Sequence, residues 1–68
     1  MMQEVLKQLR KELEETQHLL NHYEERRDMM ARGSASWRCT NEEVQYYEGE
    51  ANGLKKAIQA IERAGATV

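Results

Sequence analysis

The sequence predicts an all-α fold, an antiparallel two-helix hairpin that assembles into a homo-oligomeric helical bundle. Two apolar stripes with alternating three- and four-residue spacing predict two long helices, and a short polar segment containing a glycine separates them. The chain has 68 residues, no Pro and a single Cys. A core of that size seldom stabilises a domain alone. We therefore expect residues 1–68 to form a single helical hairpin domain that pairs with further copies, for example as a four-helix bundle.

The first helix is predicted over about residues 2–31. Its stripe alternates steps of four and three residues, which is typical of a helix that packs along another helix. The stripe consists of Met2, Leu6, Leu9, Leu13, Thr16, Leu20, Tyr23, Arg27 and Met30. Val5 and Leu19 widen it on one side, which indicates contact with more than one neighbouring helix.

The second helix is predicted over about residues 41–64. Its stripe consists of Val44, Tyr47, Ala51, Leu54, Ile58 and Ile61. Small residues flank the stripe at Gly53, Ala57 and Ala60, and they would let another backbone approach closely. Together with Val5 and Leu19, these three residues form the predicted oligomer interface.

The connection between the helices predicts how they are joined. Gly33 suits a helix end that needs a positive φ, and Gly65 closes the second helix. Thr40 and Glu43 have the spacing of a capping box, which would start the second helix. Folding about this connection pairs residues whose numbers sum to about 70, such as Tyr23 with Tyr47. The alternative is one long helix in a two-chain coiled coil, but the glycine and the second cap favour the hairpin.

Charge and hydropathy exclude several functional classes. Ten basic and twelve acidic residues give a net charge of −2, whereas a general DNA or RNA binder carries a basic excess. The apolar runs are too short to span a bilayer, and the first seven residues do not resemble a signal peptide. We therefore expect a cytoplasmic protein with no membrane partner.

Few residues could carry chemistry. His18 and His22 have the i, i+4 spacing that can hold a metal, but they lie off the stripe, so we expect a solvated face. Cys39 stands beside Arg38, and neither histidine is near enough to act as its base. The sequence therefore predicts no metal, no cofactor and no enzymatic activity.

The loop end of the hairpin is the candidate ligand site. Arginines bind phosphate bidentately, and aromatic rings stack on bases. The residues predicted to bind a ligand are Arg27, Arg32, Trp37, Arg38, Thr40, Tyr46 and Tyr47. In the alternative interpretation, Trp37 folds back over the end of the bundle and the arginines pair with nearby acidic residues.

Residues 36–62 resemble small phage-encoded helical hairpins. The resemblance lies in Trp37-Arg38 within a polar turn, then Tyr46-Tyr47, then the run from Gly53 to Ile58. One such group is the family of phage anti-defence sponges, the anti-CBASS and anti-Thoeris proteins. The resemblance implies a homo-oligomer that sequesters a cyclic or ADP-ribose-type signalling nucleotide without cleaving it, in the cytoplasm of the host cell.

Two classes of function remain open at this point. The first is a non-enzymatic homo-oligomer that binds a nucleotide-type small ligand. The second is a helical inhibitor or regulator that binds a host protein through its widened apolar stripe, or a coiled-coil assembly module. The sequence leaves open the ligand, the number of copies and the burial of Trp37.

Overall fold

The computed structural model describes residues 2–66 and shows a two-helix hairpin. Helix α1 spans Met2–Asp28 and helix α2 spans Ala35–Ala66. The α-carbons extend over 51 × 15 × 12 Å, so the hairpin is a single layer of two helices. The all-helical hairpin is thus confirmed, whereas its assembly into a bundle stays a prediction. Residues 1, 67 and 68 of the predicted domain, and the side chain of Met2 in the predicted stripe, lie outside what the structure describes. No helix in the described part is long and apolar enough to cross a membrane.

The helices run antiparallel in the predicted register. Near the free ends, Arg10 forms a 3.1 Å ion pair with Glu62. Nearer the connected end, the Tyr23 and Tyr47 rings stack. The residue numbers in each pair sum to about 70, as folding about a central connection requires.

The core of this layer is short. Within residues 3–65, four apolar side chains are buried, namely Leu20, Val44, Ala51 and Ile58, and one polar residue, Thr16, is also buried. The remaining described stripe residues are half-buried, including Leu6, Leu9, Leu13, Leu54 and Ile61. This follows from the architecture, because two helices in one layer shelter each seam from only one direction.

The predicted start of α2 at residue 41 is wrong, because α2 begins at Ala35. The backbone N–H of Trp37 donates to Ser34 Oγ at 3.2 Å, so Ser34 and not Thr40 caps the helix. Thr40 lies inside α2, and the predicted capping box with Glu43 is not formed as a helix start. The stripe of α2 also continues upstream through Thr40 and Trp37 with the same spacing, and this pattern gives the extra residues a reason to be helical.

The end of α1 and both glycines also differ from the prediction. Helix α1 ends at Asp28 and not at residue 31, since Met30 N–H already bonds back to Arg27 in a tighter turn. Gly33 has the expected positive φ, 84°, but it precedes the cap of α2 instead of directly closing α1. Gly65 does not close α2, which continues to Ala66.

Candidate functional site

The loop end of the hairpin contains a recess of about 490 Å³. We call it the tip recess. Its lining residues come from the end of α1, the connection and the start of α2, namely Arg27, Asp28, Met30, Arg32, Trp37 and Asn41. Its volume is within the range of small-molecule sites. Three of the predicted ligand residues therefore meet at one surface.

Arg27 lines the tip recess and is held by two side-chain hydrogen bonds. It occupies a seam position at the end of α1, so it faces α2 rather than solvent. Its Nη1 donates to Asn41 Oδ1 at 2.9 Å, and its Nε donates to Asp28 Oδ1 at 3.4 Å. A guanidinium held in this way loses little further freedom when it binds an anion.

Trp37 forms the apolar wall of the tip recess. It lies in the first turn of α2 and is half-buried. Ser34 Oγ accepts a hydrogen bond from the backbone N–H of Trp37, so the indole belongs to the capped first turn of α2. The indole thus lies at the surface where a ligand ring could stack.

Arg32 contributes an exposed charge to the tip recess. It is exposed in the connection, and within residues 2–66 its guanidinium has no hydrogen-bond or ion-pair partner. Two arginines against one aspartate leave the lining with a net positive charge, in a chain whose overall charge is −2. This excess favours an anion over a cation.

Thr40 supports the tip recess without lining it. Its Oγ1 donates to Met30 Sδ at 3.5 Å, which joins the connection to α2. Met30 does line the recess, so Thr40 acts on its shape through that contact.

Arg38, Tyr46 and Tyr47, also predicted as ligand residues, do not line the tip recess. Arg38 is exposed outside it. The two tyrosines belong to a chain of rings in which Tyr46 contacts Tyr47 edge-on at 5.2 Å and Tyr47 stacks on Tyr23 at 5.5 Å. His22 joins this chain through Tyr23. Partial burial, followed by the neighbouring Tyr23 phenol, raises the pKa of Tyr47 above its ordinary 10.0.

The other candidate groups for chemistry lie at the surface. His18 is exposed and stands 4.0 Å from the Glu14 carboxylate, and Cys39 is an exposed free thiol. Over residues 2–66, no three His, Cys, Asp or Glu side chains are grouped to hold a metal ion.

Sequence reasoning missed Asn41 as a residue of the site. Asn41 falls between Thr40 and Glu43 of the predicted capping box, a position whose side chain has no specific partner. Its role was detectable in principle, because Arg27 on the seam needs a polar partner on α2 near the tip. The register places Asn41 within reach.

A second, mostly apolar recess of about 370 Å³ lies near the free end of α1. Glu4, Val5, Gln8 and Leu9 line it. Of the predicted interface residues, Val5, Leu19, Gly53 and Ala60 are exposed and Ala57 is half-buried. The four exposed residues are therefore accessible to another chain, and Ala57 is accessible in part.

Comparison of this chain with known proteins found no matching family model, no matching curated protein and no matching solved structure.

Proposed function

We propose that this chain is a non-enzymatic binding protein whose tip recess takes up a nucleotide-type ligand, an anion joined to an aromatic ring. The observation that carries the proposal is the meeting of Arg27, Arg32 and Trp37 at one recess. Two guanidinium groups suit phosphate oxygens, and an indole face suits a base.

The two arginines have different roles in this proposal. Arg27 is held by Asn41 and Asp28, so it offers a fixed donor in the recess. Arg32 is unpaired among the described residues and can move onto a phosphate after the ligand enters. Asp28 offers an acceptor for a ribose hydroxyl or a base N–H.

We further propose that binding serves sequestration, as in the phage anti-defence sponges that residues 36–62 resemble. In that role the ligand is a cyclic or ADP-ribose-type signalling nucleotide, and the protein lowers its free concentration in the host cytoplasm. The groups that line the tip recess suit this role, because they offer charge, hydrogen bonds and stacking to a ligand that leaves unchanged.

Fluorescence titration tests the proposal directly, since Trp37 is the only Trp in the chain. Cyclic dinucleotides, ADP-ribose, AMP and inorganic phosphate are added separately, and the recovered ligand is analysed by chromatography. We expect a saturable change in Trp37 emission with at least one nucleotide, weaker binding of inorganic phosphate, and recovery of the intact nucleotide.

Arg32→Gln and Arg38→Gln form a matched pair, because both arginines are exposed near the tip and only Arg32 lines the recess. We expect Arg32→Gln to weaken nucleotide binding by about ten-fold or more, the loss of one charge-assisted contact. Arg38→Gln should bind within about two-fold of the wild type. Equal losses in both variants would indicate non-specific attraction of anions, and no response to any nucleotide would refute the proposal.

A further inference from the structure

The hairpin has two unlike broad faces, one on each side of the seam. The charged face carries the Arg10–Glu62 ion pair at 3.1 Å. Residues at seven-residue spacing from this pair continue that face along both helices, namely Gln17, Glu24, Glu48 and Lys55. The opposite side of the seam carries Val5 and Leu19 on α1 and Gly53, Ala57 and Ala60 on α2, and we call it the small-residue face.

The small-residue face carries exposed apolar side chains in the single chain. Val5 is 47% exposed and Leu19 is 43% exposed, and the 370 Å³ apolar recess lies beside Val5. A Cβ built on Gly53 would meet nothing within 4 Å, so the hairpin itself gives no packing reason for a helical glycine there. By the same seven-residue spacing, Glu12 and Arg26 also lie on this face of α1, and Tyr46 and Glu50 lie on this face of α2.

The chain exposes about as much area as a compact protein of the same mass plus one partner's share of a dimer interface. The chain exposes 5411 Å², whereas a compact monomer of its mass, 8.0 kDa, exposes about 4,500 Å². The excess of about 900 Å² is close to the roughly 800 Å² that each partner buries in a stable protein dimer. One further copy, laid along one broad face, would therefore bring the exposed area per chain close to that of a compact protein of 8.0 kDa.

We propose that a second copy of this chain covers the small-residue face, giving a two-fold symmetric four-helix bundle. The two hairpins lie face to face with both tips at the same end. In this arrangement α1 of one protomer crosses α2 of its partner antiparallel, and its Leu19 lies over the level of the partner's Gly53. Large side chains then fill the space that small ones leave, which is how helices interdigitate closely.

This proposal is independent of the ligand. The small-residue face runs along the side of the helices, whereas the tip recess lies at their connected end. A second copy on the charged face would set Glu24 level with Glu48 of the partner subunit, a like-charge pair, and Arg10 level with Glu62 of the partner subunit, an opposite-charge pair, so charge gives no net drive to pair there. The exposed Val5 and Leu19 side chains therefore favour the small-residue face for self-association.

Sedimentation equilibrium on the full chain, without nucleotide, tests the proposal. The wild type should have a mass of about 16 kDa, twice the chain mass of 8.0 kDa, and a melting temperature that rises with protein concentration. Ala60→Glu places a charge on the small-residue face, and we expect it to abolish the dimer. Gln59→Glu adds the same charge one residue away, on the other side of α2, and we expect the dimer to persist.

Leu19→Ala is a milder variant of the same face, because alanine keeps a high helix propensity at that position. It tests the interface even if the Ala60→Glu protein does not fold. We expect it to raise the dimer dissociation constant by about ten-fold or more, whereas Met29→Ala, at an 87% exposed loop residue, should change it by less than about two-fold. A wild type that is monomeric at all concentrations would overturn the proposal and leave this face to a different protein. A dimer that tolerates both Ala60→Glu and Leu19→Ala would place the interface elsewhere.

Discussion

The rings of Tyr23 and Tyr47 stack across the two helices, with centroids 5.5 Å apart and 7° between their planes. Tyr23 belongs to α1 and Tyr47 to α2, so the stack joins the helices at a level between the buried Ala51 and Val44. Nearly parallel aromatic pairs at this distance attract each other beyond the apolar area that they bury. The stack therefore holds the register that brings Arg27 to Asn41 and so shapes the tip recess.

The Tyr23–Tyr47 stack should appear as a coupling energy in a double-mutant cycle. We expect Tyr23→Leu and Tyr47→Leu to be coupled by about 0.5–1.5 kcal/mol, measured by urea unfolding at a fixed protein concentration. The matched cycle pairs Tyr23→Leu with Tyr46→Leu, because Tyr46 contacts Tyr47 and has no ring contact with Tyr23. Equal coupling in the two cycles would contradict a specific stack.

Stability should fall at high pH in a way that depends on Tyr47. Burial and the neighbouring Tyr23 phenol raise the pKa of Tyr47 in the folded protein, so the folded state binds this proton more tightly than the unfolded chain does. This tighter proton binding stabilises the folded state fully when the pH is below the ordinary pKa of 10.0. The stabilisation is lost as the pH rises through the raised pKa of the folded protein. The free energy of unfolding should therefore decrease less steeply in Tyr47→Phe than in the wild type between about pH 9 and about pH 11. Identical slopes would argue against the shift.

The cap of α2 should be located by two alanine substitutions. Ser34→Ala removes the oxygen that accepts the Trp37 N–H, and we expect a loss of about 1 kcal/mol in urea unfolding. Thr40→Ala lies inside the helix, where alanine's higher helix propensity offsets the lost contact with Met30, so we expect a change below about 0.5 kcal/mol. The reverse order of effects would restore Thr40 as the cap.

Substitution by alanine should change the stability of the protein in opposite directions at Gly33 and Gly49. Gly33 has a φ of 84°, which an L side chain adopts at a cost of about 1–2 kcal/mol, so Gly33→Ala should lower the melting temperature. Gly49 lies within α2 without a positive φ, and Gly49→Ala should stabilise the protein by about 0.5–1 kcal/mol. A Cβ meets nothing within 4 Å at either position, so backbone conformation alone separates the two. Stabilisation by Gly33→Ala would mean that the connection adopts another conformation.

Much of the fold could be predicted from the spacing of apolar residues. The stripes predicted two helices and their antiparallel register, and the Tyr23–Tyr47 pair confirms that register. The start of α2 could not be predicted from local signals alone. Ser34 and Thr40 are both residue types that cap helices, and a capping box at Thr40 is a stronger local pattern than Ser34 offers. The contacts of the extra turns, such as Thr40 with Met30, exist only after the helices meet.

The candidate site was also predictable only in part. The concentration of arginines with the single Trp near the connection indicated the tip, and Arg27, Arg32 and Trp37 do meet there. Because α2 begins at Ala35, Trp37 and Asn41 are four residues apart on one helix and share the face that lines the recess, whereas Arg38 points to another face. The sequence pattern predicted the start of α2 six residues too late, so Trp37 and Arg38 had no predicted helical face.

By itself, the sequence determined the class of fold and the register of the hairpin, because a three-four alternation of apolar residues has a low-energy solution only when two helices bury their stripes together. The tertiary structure alone decided which residue caps α2, which polar group anchors Arg27, and which side chains share the tip recess. In each case several residues could take the role at similar local energy. The role falls to the residue that gains a contact between the two helices, such as Asn41 with Arg27, and such contacts form only when the helices pack.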